Sequence, residues 1–188
     1  AEAFSPVMVL IGRSPAPFDD PEWLTGLTGE KEIKQAILEN KFRNETPRPA
    51  ELENAYREIV SNRDIIHTLR AIKEAGSEAL YFSADIRDKE KITQLLTDTR
   101  QKYGKITGVI HGSGILEDKL IVEKDYEKFC TVFDTKVLGL ESLVSATEND
   151  PLKYFVCFSS VAARTGNAGQ SDYAMANEIL NKKMQKMA

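Results

Sequence analysis

Cysteine is scarce: Cys130 and Cys157 are the two in 188 residues. That is too few and too scattered for a disulfide framework or a zinc pattern, and no metal site is expected. Both are read as reduced thiols, which points to a cytoplasmic setting. No stretch approaches the ~18 consecutive apolar residues of a membrane helix. The opening Ala1-Glu2-Ala3-Phe4 has no basic region followed by an apolar one and does not read as a signal peptide. Positive charge is not in excess either. Lysine and arginine number 25 against 29 acidic residues, a formal net charge of −4. A phosphate-backbone footprint, and with it a nucleic-acid partner, is therefore not expected. No internal repeat or low-complexity tract is found, which excludes solenoids and compositional linkers.

What remains is a globular composition, 41% hydrophobic and 29% charged. That balance fits a folded chain rather than a disordered one. The length suggests about one domain, large enough to bury a continuous core.

Apolar runs alternate with helical periodicities, the pattern of β-α units on a parallel sheet. Val7-Met8-Val9-Leu10-Ile11 has no polar break and reads as a strand buried on both faces. It ends at Gly12-Arg13-Ser14. Residues 15–48 are polar and punctuated by Pro15, Pro17, Pro21 and Pro47, with a short helix expected over Glu30–Asn40. This segment is read as an insertion, with Asp19, Asp20 and Glu30 as solvated charge. A long crossover helix follows from Pro49, a residue suited to the first turn. Its apolar positions are Leu52, Ile59, Ile65, Ile66, Leu69 and Ile72, and Gly76 is its stop. Further strands are expected at Ala79–Ser83, Ile106–Ile110 and Tyr154–Phe158. Further helices are expected at Asp88–Tyr103, from Lys124 to about Thr147, and from Ser171 to the end. The order implies a doubly wound parallel sheet of Rossmann-like type. Ligands of such sheets sit beyond the carboxyl ends of the strands. Arg13, Asp85, His111 and Ser160 all fall there.

The strongest constellation joins Ser160, Tyr173 thirteen residues on, and Asn177 four residues further. Spacing of i, i+4 puts Tyr173 and Asn177 on one helical face. Ser160, at a strand end, can reach the tyrosine hydroxyl. Lys136 stands mid-helix in Thr135-Lys136-Val137-Leu138-Gly139. A tyrosine titrates near 10 in water, and a neighbouring ammonium favours its charged form. Serine, tyrosine and lysine together therefore make a proton-delivery set. Ser159 reads as strand-end structure, His67 as a helix-surface residue and Cys130 as core filler.

These residues resemble the short-chain dehydrogenase/reductase superfamily, and more narrowly the ketoreductase domains of polyketide synthases. Ordinary members carry Tyr-x-x-x-Lys with asparagine on the preceding helix. Here the two are exchanged, as in polyketide ketoreductases: Tyr173-Ala174-Met175-Ala176-Asn177 with Lys136 upstream. Phe158-Ser159-Ser160-Val161-Ala162, Gly169-Gln170-Ser171-Asp172-Tyr173, Gly12-Arg13-Ser14 and His111-Gly112-Ser113-Gly114 resemble the same family. The likeness covers nearly all of the chain except the insertion. The insertion itself resembles the longer ketoreductases of polyunsaturated fatty-acid and other iterative synthases.

The resemblance implies roles. Tyr173 would protonate the alkoxide, Ser160 would hold the substrate carbonyl, and Lys136 would bind the nicotinamide ribose and tune Tyr173. Asn177 would support Lys136 and a relay water. Arg13 and Ser14 would face the 2′-phosphate of NADPH, which a guanidinium fork suits. Asp85 would accept from the adenine amino group beside Ile86, and His111 and Gly112 would line the adenosine. Leu116-Glu117-Asp118 resembles the Leu-Asp-Asp element of ketoreductases that yield the 3R alcohol. Thr165, eight residues before Tyr173, stands where the opposite class has tryptophan. The substrate would be a β-ketoacyl thioester tethered through phosphopantetheine to an acyl carrier protein, and the other partners would be further domains of the same synthase.

The phosphate-binding Gly-x-Gly-x-x-Gly turn of such folds is absent from the sequence. The opening residues resemble the end of the first helix, and nothing after the Tyr173 helix supplies the last strands. The 188 residues are thus expected to be a partial ketoreductase catalytic domain. The alternative is a non-catalytic structural module of a synthase. Its mark would be loss of Tyr173, Lys136 or Ser160, and all three are present.

Overall fold

The structure, a computed structural model, describes residues 5–187. Ala1-Glu2-Ala3-Phe4, read above as a helix end, lies outside the described residues. The chain is α/β with its strands paired in parallel, in two compact units that divide after Ser83. No helix among the described residues is long and apolar enough to cross a membrane.

In the first unit β1 (Val7–Gly12) pairs with β2 (Glu78–Ser83), in register from Val7↔Glu78 to Gly12↔Ser83. The connection holds a 3-10 turn at Glu22–Leu24 and two helices, α1 (Glu30–Asn40) and α2 (Pro49–Glu74). Helix α2 starts where Pro49 sits in the first turn and Glu51 accepts the Arg48 N–H at 2.7 Å. Gly76, at φ 79°, closes it in the left-handed region. His67 is exposed on this helix.

Residues 15–48 do more than loop out. Leu24, Ile33 and Ile37 are buried against Ala55 and Ile59 of α2, with Trp23, Phe42 and Tyr56 around them. Each aliphatic side chain buried in this way contributes about 1.5–3 kcal/mol. Polar ties complete the attachment. Asn62 accepts the Phe18 N–H and donates to the Phe18 carbonyl, both at 2.9 Å. Arg63 binds the Asp20 carboxylate at 2.6 Å and also donates to the Leu24 and Leu27 carbonyls. Asp20 is therefore not the solvated charge the sequence suggests, because Arg63 on α2 reaches it.

The second unit contains α3 (Lys89–Tyr103), β3 (Gly108–His111), a 3-10 turn (Ile121–Glu123), α4 (Tyr126–Ala146), β4 (Tyr154–Cys157), α5 (Ala162–Thr165) and α6 (Ser171–Met187). Strands β3 and β4 pair from Gly108↔Tyr154 to His111↔Cys157. Val137 and Leu140 of α4 meet Ala176 and Leu180 of α6, and Phe155 and Cys157 of β4 pack on them. Side chains alternate along a strand, so Ile110 and Val156 point to the other face, where they are exposed.

Several boundaries differ from the sequence reading, each for a reason visible in its contacts. β1 is half-buried rather than buried on both faces, since α2 packs chiefly over β2. β3 begins two residues later than expected because Asp150 captures the Ile106 N–H at 3.1 Å. Helix α4 starts at Tyr126, not Lys124, because Asp125 caps it by accepting from the Lys128 N–H at 3.1 Å. The short α5 has no counterpart in the sequence reading. It forms where the Ser160 hydroxyl accepts the Ala162 N–H at 3.2 Å.

Replacing Asn62 by leucine removes both ties and leaves the Phe18 N–H and the Phe18 carbonyl without their side-chain partner. The expected cost is ~1–3 kcal/mol, seen as a lower urea midpoint at unchanged m-value.

Candidate active site

Lys136 sits in the middle of α4 with 3% of its surface exposed. Its ammonium donates to the Phe158 carbonyl at 3.0 Å, just past β4. It also stands 5.4 Å from the centroid of the Tyr173 ring, on α6. Three elements thus meet at one buried cation. Burial lowers the lysine's pKa below its ordinary value, and the neighbouring Cys157 thiol opposes that fall. Burial likewise raises Cys157, with the ammonium pulling it back.

Tyr173 and Asn177 lie one turn apart on α6. The Asn177 amide donates to the Tyr173 carbonyl at 2.7 Å, and its own carbonyl oxygen is buried without a protein partner. Ser159 donates to the Asn177 backbone carbonyl at 3.3 Å, which ties the end of β4 to α6. Its neighbour Ser160 accepts from Ala162 and keeps its hydroxyl proton free to donate elsewhere. The two serines are divided by role: one holds structure, the other retains a donor.

His111 ends β3 and is 1% exposed. Its Nε2 lies 2.9 Å from the Lys136 carbonyl, which can only accept, so Nε2 carries the proton. Nδ1 is buried without a protein partner. The ring therefore props the helix turn that carries Lys136. Gly112, the next residue, is exposed. Asp85 accepts the Arg87 backbone N–H at 2.9 Å and holds its guanidinium at 2.7 Å. Ile86, 8% exposed, packs beneath α4. In the first unit Arg13 is exposed at the end of β1, and the Ser14 carbonyl accepts the Tyr81 hydroxyl at 2.9 Å. Burial raises the Tyr81 pKa, so its hydroxyl remains a donor.

Two contributors escape a motif reading. Tyr81 reads as an ordinary strand residue, yet it fixes the turn that presents Arg13. Gly139 reads only as one more position of the long helix. A β-carbon there would come 2.9 Å from Ile86 and 3.0 Å from His111. The signal lies in Thr135-Lys136-Val137-Leu138-Gly139, since a glycine inside a helix usually has a packing reason.

Gly139→Ala should overpack the contact under Lys136 and cost ~1–3 kcal/mol, measurable by chemical denaturation. The pH dependence is separate. Burial holds the His111 pKa below 6.5. The unfolded chain then takes up a proton first as pH falls. The stability is present above about pH 6.5 and is lost toward the folded value, by up to ~1.4 kcal/mol per unit. Thermal midpoints at pH 7.5 and 5.5 should differ more for the wild type than for His111→Gln.

The family model described as the KR domain matches residues 51–188. A polyunsaturated fatty acid synthase of Thraustochytrium sp. is 34% identical over 93% of the chain, which spans 6% of that protein. Polyketide synthase PksL of Bacillus subtilis is 43% identical over 60% of the chain, 2% of its own length. The crystal structure of an N-terminal ketoreductase from the macrolactin assembly line superposes with a TM-score of 0.67. It is 30% identical over 96% of this chain and 28% of that one. The chain spans only a small part of the curated relatives it matches. With the exchanged Tyr173–Asn177 pair, the buried Lys136 and these likenesses together, the chain belongs to the KR domain family, the polyketide-synthase type of ketoreductase in the short-chain dehydrogenase/reductase superfamily.

Proposed function

We propose that this chain reduces a carrier-bound β-ketoacyl thioester to the β-hydroxyacyl thioester with NADPH, as part of a polyketide or polyunsaturated fatty-acid synthase. The observation that carries the reading is the buried ammonium of Lys136 beside the ring of Tyr173. A buried cation is costly, and here it is held against a phenol ring.

The residues fit a nicotinamide cofactor. The Lys136 ammonium spends one donor on Phe158 and has others left. A β-carbon at Gly114 would lie 3.1 Å from the lysine stem, so glycine keeps the space beside it open. Lys136 would hold the nicotinamide ribose. Asp85, Ile86, His111 and Gly112 would take the adenosine, His111 through its backbone because its ring is committed to Lys136. Arg13, with Ser14, would take a 2′-phosphate.

When bound, the cofactor supplies hydride to the β-carbon. The Ser160 hydroxyl would donate a hydrogen bond to the substrate carbonyl oxygen and orient it, keeping its own proton. Tyr173 then delivers the proton that converts the alkoxide to the alcohol. Lys136 stabilises the phenolate left behind. The unpartnered Asn177 oxygen can hold a water that returns a proton to the site. The Leu116-Glu117-Asp118 likeness supports a 3R product. The thiols of Cys130 and Cys157 are free, which fits a reducing, cytoplasmic compartment. Partners are then the acyl carrier protein and neighbouring synthase domains.

The test is NADPH oxidation by the full-length protein with a β-ketoacyl thioester analogue. Tyr173→Phe should lower kcat by ~10²–10⁴-fold while NADPH still binds. Arg13→Ala should weaken NADPH by about tenfold or more and leave NADH nearly unchanged. The alkaline limb of the activity profile should lie below the ordinary lysine value, since burial makes Lys136 lose its proton early. Absence of both binding and turnover would instead support a structural module.

A further inference from the structure

Residues 112–125, between β3 and α4, form a strap with little regular structure beyond the turn at Ile121–Glu123. Its exposure pattern is inverted. Leu116, Leu120, Ile121 and Val122 are 58%, 55%, 75% and 87% exposed. The charged Lys124, by contrast, has a side chain only 3% exposed, and its partner Asp172 only 2%. Hydrophobic burial does not hold the strap. Polar pins do.

The pins lie in two groups. The Lys119 N–H donates to the Gly169 carbonyl at 3.0 Å, and Gln170 donates to Asp118 at 2.8 Å. Gly169 has φ 81°, and a β-carbon on it would meet the Lys119 backbone at 3.3 Å. At the far end the Lys124 ammonium donates to Asp172 at 2.7 Å and turns back to the Glu117 carbonyl at 3.0 Å. The second Asp172 oxygen accepts the Tyr173 backbone N–H at 2.9 Å. The outer pair Lys128–Glu117, 3.5 Å apart with both side chains about half exposed, adds little.

We propose that Lys124 and Asp172 are positioning residues, whose buried ion pair holds the strap fixed against the start of the helix that carries Tyr173, as a preformed wall for the incoming substrate. A segment with few buried apolar contacts is otherwise drawn to local opening. With Lys124 pinned at both Glu117 and Asp172, the strap stays closed on itself and beside the tyrosine. This rests on the reading of Tyr173 as proton donor.

The test compares wild type, Lys124→Met and Lys124→Met/Asp172→Leu in the full-length protein. Hydrogen exchange over residues 115–124, thermal midpoint, and kcat and KM for the thioester analogue are measured. Lys124→Met should exchange the strap amides faster by about tenfold or more, and raise KM by about tenfold with kcat changed less than about threefold. The double variant buries no lone charge, so its thermal midpoint should recover. Its strap should still exchange fast and its KM stay high, because Glu117 lacks its donor. Wild-type exchange and KM in both variants would overturn the proposal. So would a double variant in which KM and strap protection recover along with stability, which marks a merely structural pair. If Lys124→Met does not fold, the double variant decides alone. If the wild type does not turn over, the reductase reading fails, and strap exchange by itself still decides whether the pins hold.

Discussion

An ammonium withdrawn from water must find acceptors and a partner of opposite electrostatic character. Lys136 is withdrawn almost completely, and the arrangement of the second unit follows from that. The Phe158 carbonyl is available to it because β4 has just ended. The Tyr173 ring offers its negative face. The helix turn carrying Lys136 is propped by His111 and brought close by Gly139. Ser159 and Asn177 then fix the two other elements to each other. The cost of desolvating such a cation is several kcal/mol, and the Phe158 carbonyl and the Tyr173 ring are what the fold sets against it.

The first unit solves a different problem. Arg13 is exposed, and from the adjacent strand Tyr81 holds the neighbouring Ser14 carbonyl. The segment over residues 15–48 adds a small core to α2 and is anchored through Asn62 and Arg63. Its polar, proline-rich composition conceals this, because only Leu24, Ile33, Ala36 and Ile37 on the segment itself are buried.

Much of the architecture is legible in the chain. The strands have short apolar runs, and helix α2 has a start and a stop that sequence can show: Pro49 in its first turn and Gly76 after Glu74. The departures differ in origin. The Ile106 N–H, which could have extended β3, is taken by Asp150, 44 positions away, and no local periodicity reports that. The start of α4 at Tyr126 is set by the neighbouring Asp125, whose side chain caps the helix.

The class of fold, the shared helical face of Tyr173 and Asn177 and the strand-end place of Ser160 can be read from the chain alone, because i, i+4 spacing and strand-end placement are local properties. The chain alone does not say which of two adjacent serines keeps a free proton, that His111 turns inward to Lys136, or that the Lys124 side chain is buried. Those outcomes depend on which acceptor lies within hydrogen-bonding reach once the helices have packed. Packing settles them, because desolvation makes every buried donor choose among the few acceptors left beside it.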